Sequence, residues 1–113
     1  MALFEIELPN ILESPKVIQD IALGNREYRF FFNWNSFANT CFLDLSLIDG
    51  NSVINIINGY ALVINNNITK FVKNPNVWAG TLFLVDREQQ SRDPEQSNFK
   101  SDFILVYDDG NNT

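Results

Sequence analysis

The residues able to do chemistry in this 113-residue chain are few. Fourteen are acidic, eight are Lys or Arg, one is cysteine and none is histidine. Without histidine the commonest general base is missing, and neither a Ser-His-Asp nor a Cys-His arrangement can form. Zinc sites built on Cys and His are excluded in the same way. The five glycines are scattered at turns and make no phosphate-cradling loop. Carboxylates remain. Asp108-Asp109 and Asp49 can touch a cation, but Asp49-Gly50-Asn51 lacks the alternating acidic ligands of a calcium loop. Solvated turn residues are the plainer reading of all three. Asp44 lies in the middle of an apolar alternation, and a structural role on the solvated strand face is expected. No carboxylate pair spaced for glycoside hydrolysis can be located, so an enzyme using only carboxylates, Lys and Tyr is the least favoured class.

Aromatic residues are the other candidates, because exposed Trp and Tyr stack on sugars or single-stranded bases. The span RFFFNWNSFANTCFLDLSLIDGN holds five phenylalanines and Trp34. Tyr28, Phe30, Phe32 and Trp34 recur at period two, which is the pattern of a core wall. Leu43, Leu45, Leu105 and Tyr107 continue the same expected core. Cys41 sits within this apolar pattern and reads as a buried structural thiol; a single cysteine allows no internal disulfide. Trp78, in the looser NPNVWAG, is the better surface candidate, with core and contact readings both open.

These side chains need elements to hold them, and the pattern is that of strands. Alternation or β-branched runs mark residues 3–8, 16–23, 26–34, 41–48, 52–57, 60–64, 81–86 and 102–107. Gly24-Asn25 fits a type II′ hairpin and Asp49-Gly50 a type I′ hairpin. Gly59 breaks the run after residue 57. The connection at 35–40 is polar, interrupted by Phe37. Helix signal is weak: single turns at 10–18, interrupted by Pro15, and at 67–73. The expected fold is all-β: a single small antiparallel β-barrel or sandwich of about seven to eight strands. One domain spans residues 1–113, with its core at about 3–108. The segment REQQSRDPEQSNFK, residues 87–100, is the one long polar loop. Loops of that length commonly carry function, and Arg87, Arg92, Asp93 and Pro94 are its candidate interface residues, with Trp78 beside them.

Composition narrows the partners. A formal net charge of −6 disfavours nucleic acid and anionic membrane surfaces. The N-terminus lacks the basic and apolar regions of a signal peptide, and no apolar run reaches membrane-spanning length. A soluble protein made in a cytoplasm is expected, with no cofactor and no metal.

The order of the motifs resembles a known family. Trp34-Asn35 is followed by Phe42-Leu43-Asp44-Leu45 and Asp49-Gly50. Then come Gly59, Leu62, an apolar run at 82–86, Arg92-Asp93-Pro94 and Leu105-Val106-Tyr107. This is similar to the small baseplate plug domain of tailed bacteriophages, of the cyanophage type, over about residues 6–108. The chain departs from that pattern at Asn74-Pro75-Asn76, where glycines are partly replaced. The resemblance implies a β-rich virion structural component near the tail tip, packed against hub or tail-tube proteins in multiple copies. It implies host cytoplasm during assembly, no enzyme activity and no catalytic residues. The competing reading is a β-sandwich carbohydrate-binding module that uses Trp78 and Tyr60 as stacking platforms. A lipocalin-like barrel is a third; it requires a hollow interior, which so many large aromatics would fill.

Overall fold

In the computed structural model, the described residues are 3–11, 14–23, 26–64, 67–70, 72, 78, 80–88, 94–95 and 98–108. They form seven strands and one short helix: β1 (Leu3–Glu7), β2 (Lys16–Leu23), β3 (Arg26–Asn35), β4 (Thr40–Asp49), β5 (Ser52–Ala61), β6 (Thr81–Asp86), α1 (Phe99–Asp102) and β7 (Phe103–Asp108). Two antiparallel sheets result, one ordered β2-β3-β4-β5 and the other β1-β7-β6. They do not close into a barrel, so the sandwich is the form this all-β chain takes. The larger sheet is a meander, because each strand pairs with its neighbour in sequence. The smaller one joins the N-terminal β1 to the C-terminal β7.

The period-two aromatic pattern does what its spacing demands. Phe30 lies opposite Leu45, Phe32 opposite Leu43, Tyr28 opposite Leu47 and Trp34 opposite Cys41. All eight side chains are buried. From the facing sheet come Leu82, Leu84, Phe103, Leu105 and Tyr107. The alternate residues of β3 and β4 are only partly buried and form the outer surface. There Asp20 of β2 takes a two-point ion pair from Arg29, with Nε to Oδ1 at 2.9 Å. That hydrogen bond holds the Asp20 carboxyl below its ordinary range, but its exposure limits what the pair adds to stability.

One element differs from the sequence expectation and reveals how β5 is built. Residues 52–57 and 60–64 are not two strands split by Gly59. A single strand runs through it, bulged twice. Ile54 opposes Leu47, Ile57 opposes Leu45 and Tyr60 opposes Leu43. The β5 partners of this buried β4 row therefore recur every third position, each step carrying one extra residue, with Ile54 exposed and Ile57 and Tyr60 packed against the core. Gly59 has φ +60, a left-handed angle that costs glycine little. Its N–H donates to Asp44 Oδ1 at 2.5 Å, so the mid-strand carboxylate anchors the bulge. Asn55 Nδ2 donates to Asn58 Oδ1 at 2.7 Å across the same irregularity.

The turns also refine expectation. Asp49 pairs with Ser52, so Gly50 and Asn51 are the central residues. Gly50 has φ +59, while Asn39 is the one described non-glycine residue with positive φ. The turn therefore needs one left-handed residue and not two, which is the type II′ pattern in place of I′. Leu23 pairs with Arg26 on either side of Gly24-Asn25, which lies outside the described residues.

Side chains from the connections complete the core. Trp78 lies edge-on between Tyr28 of β3 (5.0 Å between ring centroids) and Tyr107 of β7 (5.1 Å). At the other end of β3, Phe99 of α1 packs against Phe32 and Trp34, both at 6.4 Å. Phe99 is fully buried although it stands among polar residues. Asn67 Oδ1 accepts from Thr69 N and Thr69 Oγ1, both 3.1 Å, and the Ile68 N–H donates to Leu82 O. These bonds tie the turn at 68–70 to β6.

Trp34→Ala and Phe99→Ala should each cost roughly 3–5 kcal/mol, by loss of buried area and by the cavity left behind. A urea melt would read this as a lowered midpoint. Because the two rings touch, the double variant should lose less than the sum of the single ones.

Candidate interaction surface

Of the side chains singled out as chemical candidates, Asp44 and Cys41 are taken up in structure, Asp49 is exposed at its turn, and Asp109 lies outside the described residues. Asp44 holds Gly59. Asp86 is buried and accepts the Glu88 N–H at 2.9 Å, closing the turn after β6. Among the described residues no group of three His, Cys, Asp or Glu side chains comes together as a metal site. Cys41 is fully buried, and burial pushes its thiol up to about 12. Only the thiolate is a competent nucleophile, so this sulfur is inert in the folded chain.

The expected interface residues scatter. Trp78, open between core and contact from its sequence, is a core residue at 4% exposure, wedged between the sheets. This corrects its placement at the surface and removes it as a stacking platform. Arg87 is exposed at the end of β6, with its backbone N–H donating to Asp102 O at 2.8 Å. Arg92 and Asp93 lie outside the described residues. Pro94 is buried. With Glu95, it lines a polar cavity of about 380 Å³ against Asn39 and Thr40 of the β3–β4 connection and Leu62 after β5. The expected loop 87–100 is thus shorter than its composition suggests. Glu95 N donates to Asn98 Oδ1 at 2.8 Å, Asn98 begins the approach to α1, and Lys100 Nζ reaches Leu8 O at 3.4 Å. The loop's last third belongs to the body.

Other residues present themselves instead. Phe37, at the tip of the β3–β4 hairpin, is wholly exposed at 106%. Its turn is braced: Asn35 Oδ1 accepts the N–H groups of Phe37 (2.9 Å) and Ala38 (3.1 Å), and Thr40 Oγ1 donates to Ala38 O (3.0 Å). The signal was visible in sequence as the one aromatic interrupting a polar connection. Ile18 on the outer sheet face and Val53 on β5 are exposed at 60% and 52%. β5 is the last strand of its sheet and carries no charge over its ten residues. What this surface offers is apolar contact and strand edges, a chemistry of docking.

A family model described as cyanophage baseplate Pam3 plug gp18 matches residues 3–110. Curated proteins gave no match.

Two outcomes follow from the placements of Trp78 and Cys41. Trp78→Ala should lower the urea midpoint as severely as Trp34→Ala, about 3–5 kcal/mol, because it empties the space between Tyr28 and Tyr107. Cys41 should resist thiol reagents in native buffer and react at once in denaturant. Its native thiol stays protonated to about pH 12, while the unfolded one ionises near its ordinary value of 9.0. Its contribution to stability is therefore fully present below pH 9.0 and is lost as pH rises through about 12, which alkaline melts would detect.

Proposed function

Because the chain belongs to the cyanophage baseplate plug family, we propose that it works as a small structural plug at the tail tip, in contact with hub or tail-tube proteins. The family match over 108 of 113 residues carries this reading (residues 3–110 inclusive). The site chemistry supports it: the thiol is sealed, Asp44 and Asp86 hold turns, and Phe37, Ile18 and Val53 are exposed apolar side chains. The protein acts by shape and contact, without catalysis and without a cofactor, as a single domain repeated in several copies within the virion. It is made in the host cytoplasm and joins the tail during assembly. Arg87, Arg92 and Asp93 supply charged contacts, where paired charges fix register more than they add affinity.

Purified virions of the parent phage should contain the chain at fixed stoichiometry to the tail proteins by mass spectrometry. A phage deleted for its gene should give particles without a plugged tail tip, and wild-type protein supplied in trans should restore them. An Arg87→Ala, Arg92→Ala double variant should fold normally and be incorporated at least tenfold less. Virions that lack the chain altogether would refute the assignment.

A further inference from the structure

The two sheets have four edge strands, and these are not alike. β6 is covered: Ile64 bridges its Leu84, and the Ile68 N–H donates to Leu82 O. β5 is bulged twice against β4, and a bulged edge is a poor template for a further strand. β1 and β2 remain. Each pairs in regular register on one side and with no described strand on the other. Between them lies an open groove of about 320 Å³, whose lining includes the apolar Phe4, Ile6, Ile21 and Leu23.

Period two gives β1 two rows of side chains. Phe4 and Ile6 face inwards: Phe4 packs on Tyr107 at 5.8 Å between ring centroids, and Ile6 is buried. Glu5 and Glu7 take the other face and are exposed. A strand laid along the free side of β1 would set alternate side chains beside Phe4 and Ile6, over the groove, and the rest beside Glu5 and Glu7. The first row meets an apolar lining. The second meets two carboxylates, and no described Lys or Arg pairs with either, since the described ion pair is that of Arg29 with Asp20. Every charged side chain on the three strands of the small sheet is a carboxylate: Glu5, Glu7, Asp86 and Asp108. β2 offers no such pattern. Its outer row is Lys16, Ile18, Asp20 and Ala22, in which Asp20 is already held by Arg29.

We propose that β1 accepts an extended segment of a partner protein, in which apolar residues alternate with Lys or Arg, as a fourth strand of the small sheet. Main-chain hydrogen bonds to the free edge hold the segment, the groove takes its apolar row, and Glu5 and Glu7 select its cationic row. The net charge of −6 draws a basic partner and repels a second copy. A second copy also lacks the pattern, because no two of the chain's eight Lys and Arg residues stand two positions apart. The proposal deepens the plug reading by giving the chemistry of one contacted segment, and it rests on that reading only for the partner's presence in the tail.

The probe is a short capped peptide that alternates valine with lysine, titrated into the isolated chain and followed by amide chemical shifts. It should bind with Kd on the order of 100 µM at low ionic strength, more weakly as salt rises, and move the amides of β1 and of residues 19–23. The counterpart alternating valine with glutamate should bind at least tenfold more weakly. So should the valine-lysine peptide N-methylated throughout, which cannot donate to a ladder. The double variant Glu5→Lys, Glu7→Lys, at exposed positions, should keep its urea midpoint and reverse the preference between the two charged peptides. A chain unmoved by 1 mM valine-lysine peptide, equal binding of the two charged peptides, indifference to N-methylation, or a double variant that keeps the original preference would each overturn the proposal. Shifts in β1 that grow with chain concentration alone would give the edge to a second copy and overturn it too. These titrations use the isolated chain, so their failure is separable from a failure of virion incorporation.

Discussion

Two sheets, one of four strands and one of three, must be held face to face by side chains almost alone. The backbone joins them at a single described bridge, Ile64 to Leu84, with the 67–70 turn bonded alongside. Stacked sheets sit about 10 Å apart, a gap that aliphatic side chains fill from both faces and that large rings set most firmly. Here the rings at the two ends of β3 come from outside the strands. Trp78 separates Tyr28 from Tyr107, and Phe99 closes over Phe32 and Trp34. The connections that deliver these rings are therefore part of the core, and the positions of the surface turns follow from them.

The same economy governs the described carboxylates. Asp44 and Asp86 each accept a backbone N–H at a place where the regular ladder ends or bulges, so they satisfy donors that the fold would otherwise leave unpaired. Asn35, Asn67 and Asn98 do comparable work with their amide oxygens. A chain rich in asparagine is equipped to build irregular turns. Belonging to a baseplate plug family accords with that equipment, since a plug needs a defined outline.

Much of the body was legible from alternation alone. Tyr28, Phe30, Phe32 and Trp34 could be assigned to one buried face because a strand has period two and the partner strand β4 repeats it. The failures share a cause. β5 reads as two strands because the residues opposite the buried row of β4 recur every third position, a spacing that belongs to neither strand nor helix, and only the register against β4 explains it. Phe99 was hidden in a polar segment, where the helical spacing to Phe103 was its sole local mark. Trp78 reads as loose because the residues before it in sequence, Asn74-Pro75-Asn76, are of turn-forming types, while its burial is decided by Tyr28 and Tyr107, fifty and twenty-nine positions away. Sequence pattern reports contacts made along a strand; it is silent about rings delivered across the sandwich by a connection. The docking surface suffered most, since an exposed Phe37 has the same composition as a buried one.

The pairing of β1 with β7 sets an order of events during synthesis. β2 to β5 form a meander of neighbours and can pair as they emerge, whereas the small sheet has no central strand until Phe103–Asp108 arrives. Some 47 residues separate the end of β5 from the end of β7. At ~5–20 residues per second, that leaves an aromatic sheet face uncovered for about 2 to 9 s on every translating ribosome. The emerging chain is at its stickiest just before β7 arrives. Its solubility in the cell is therefore governed by how promptly the last strand closes, and substitutions that delay β7 should reduce yield even where they leave the finished sandwich as stable as before.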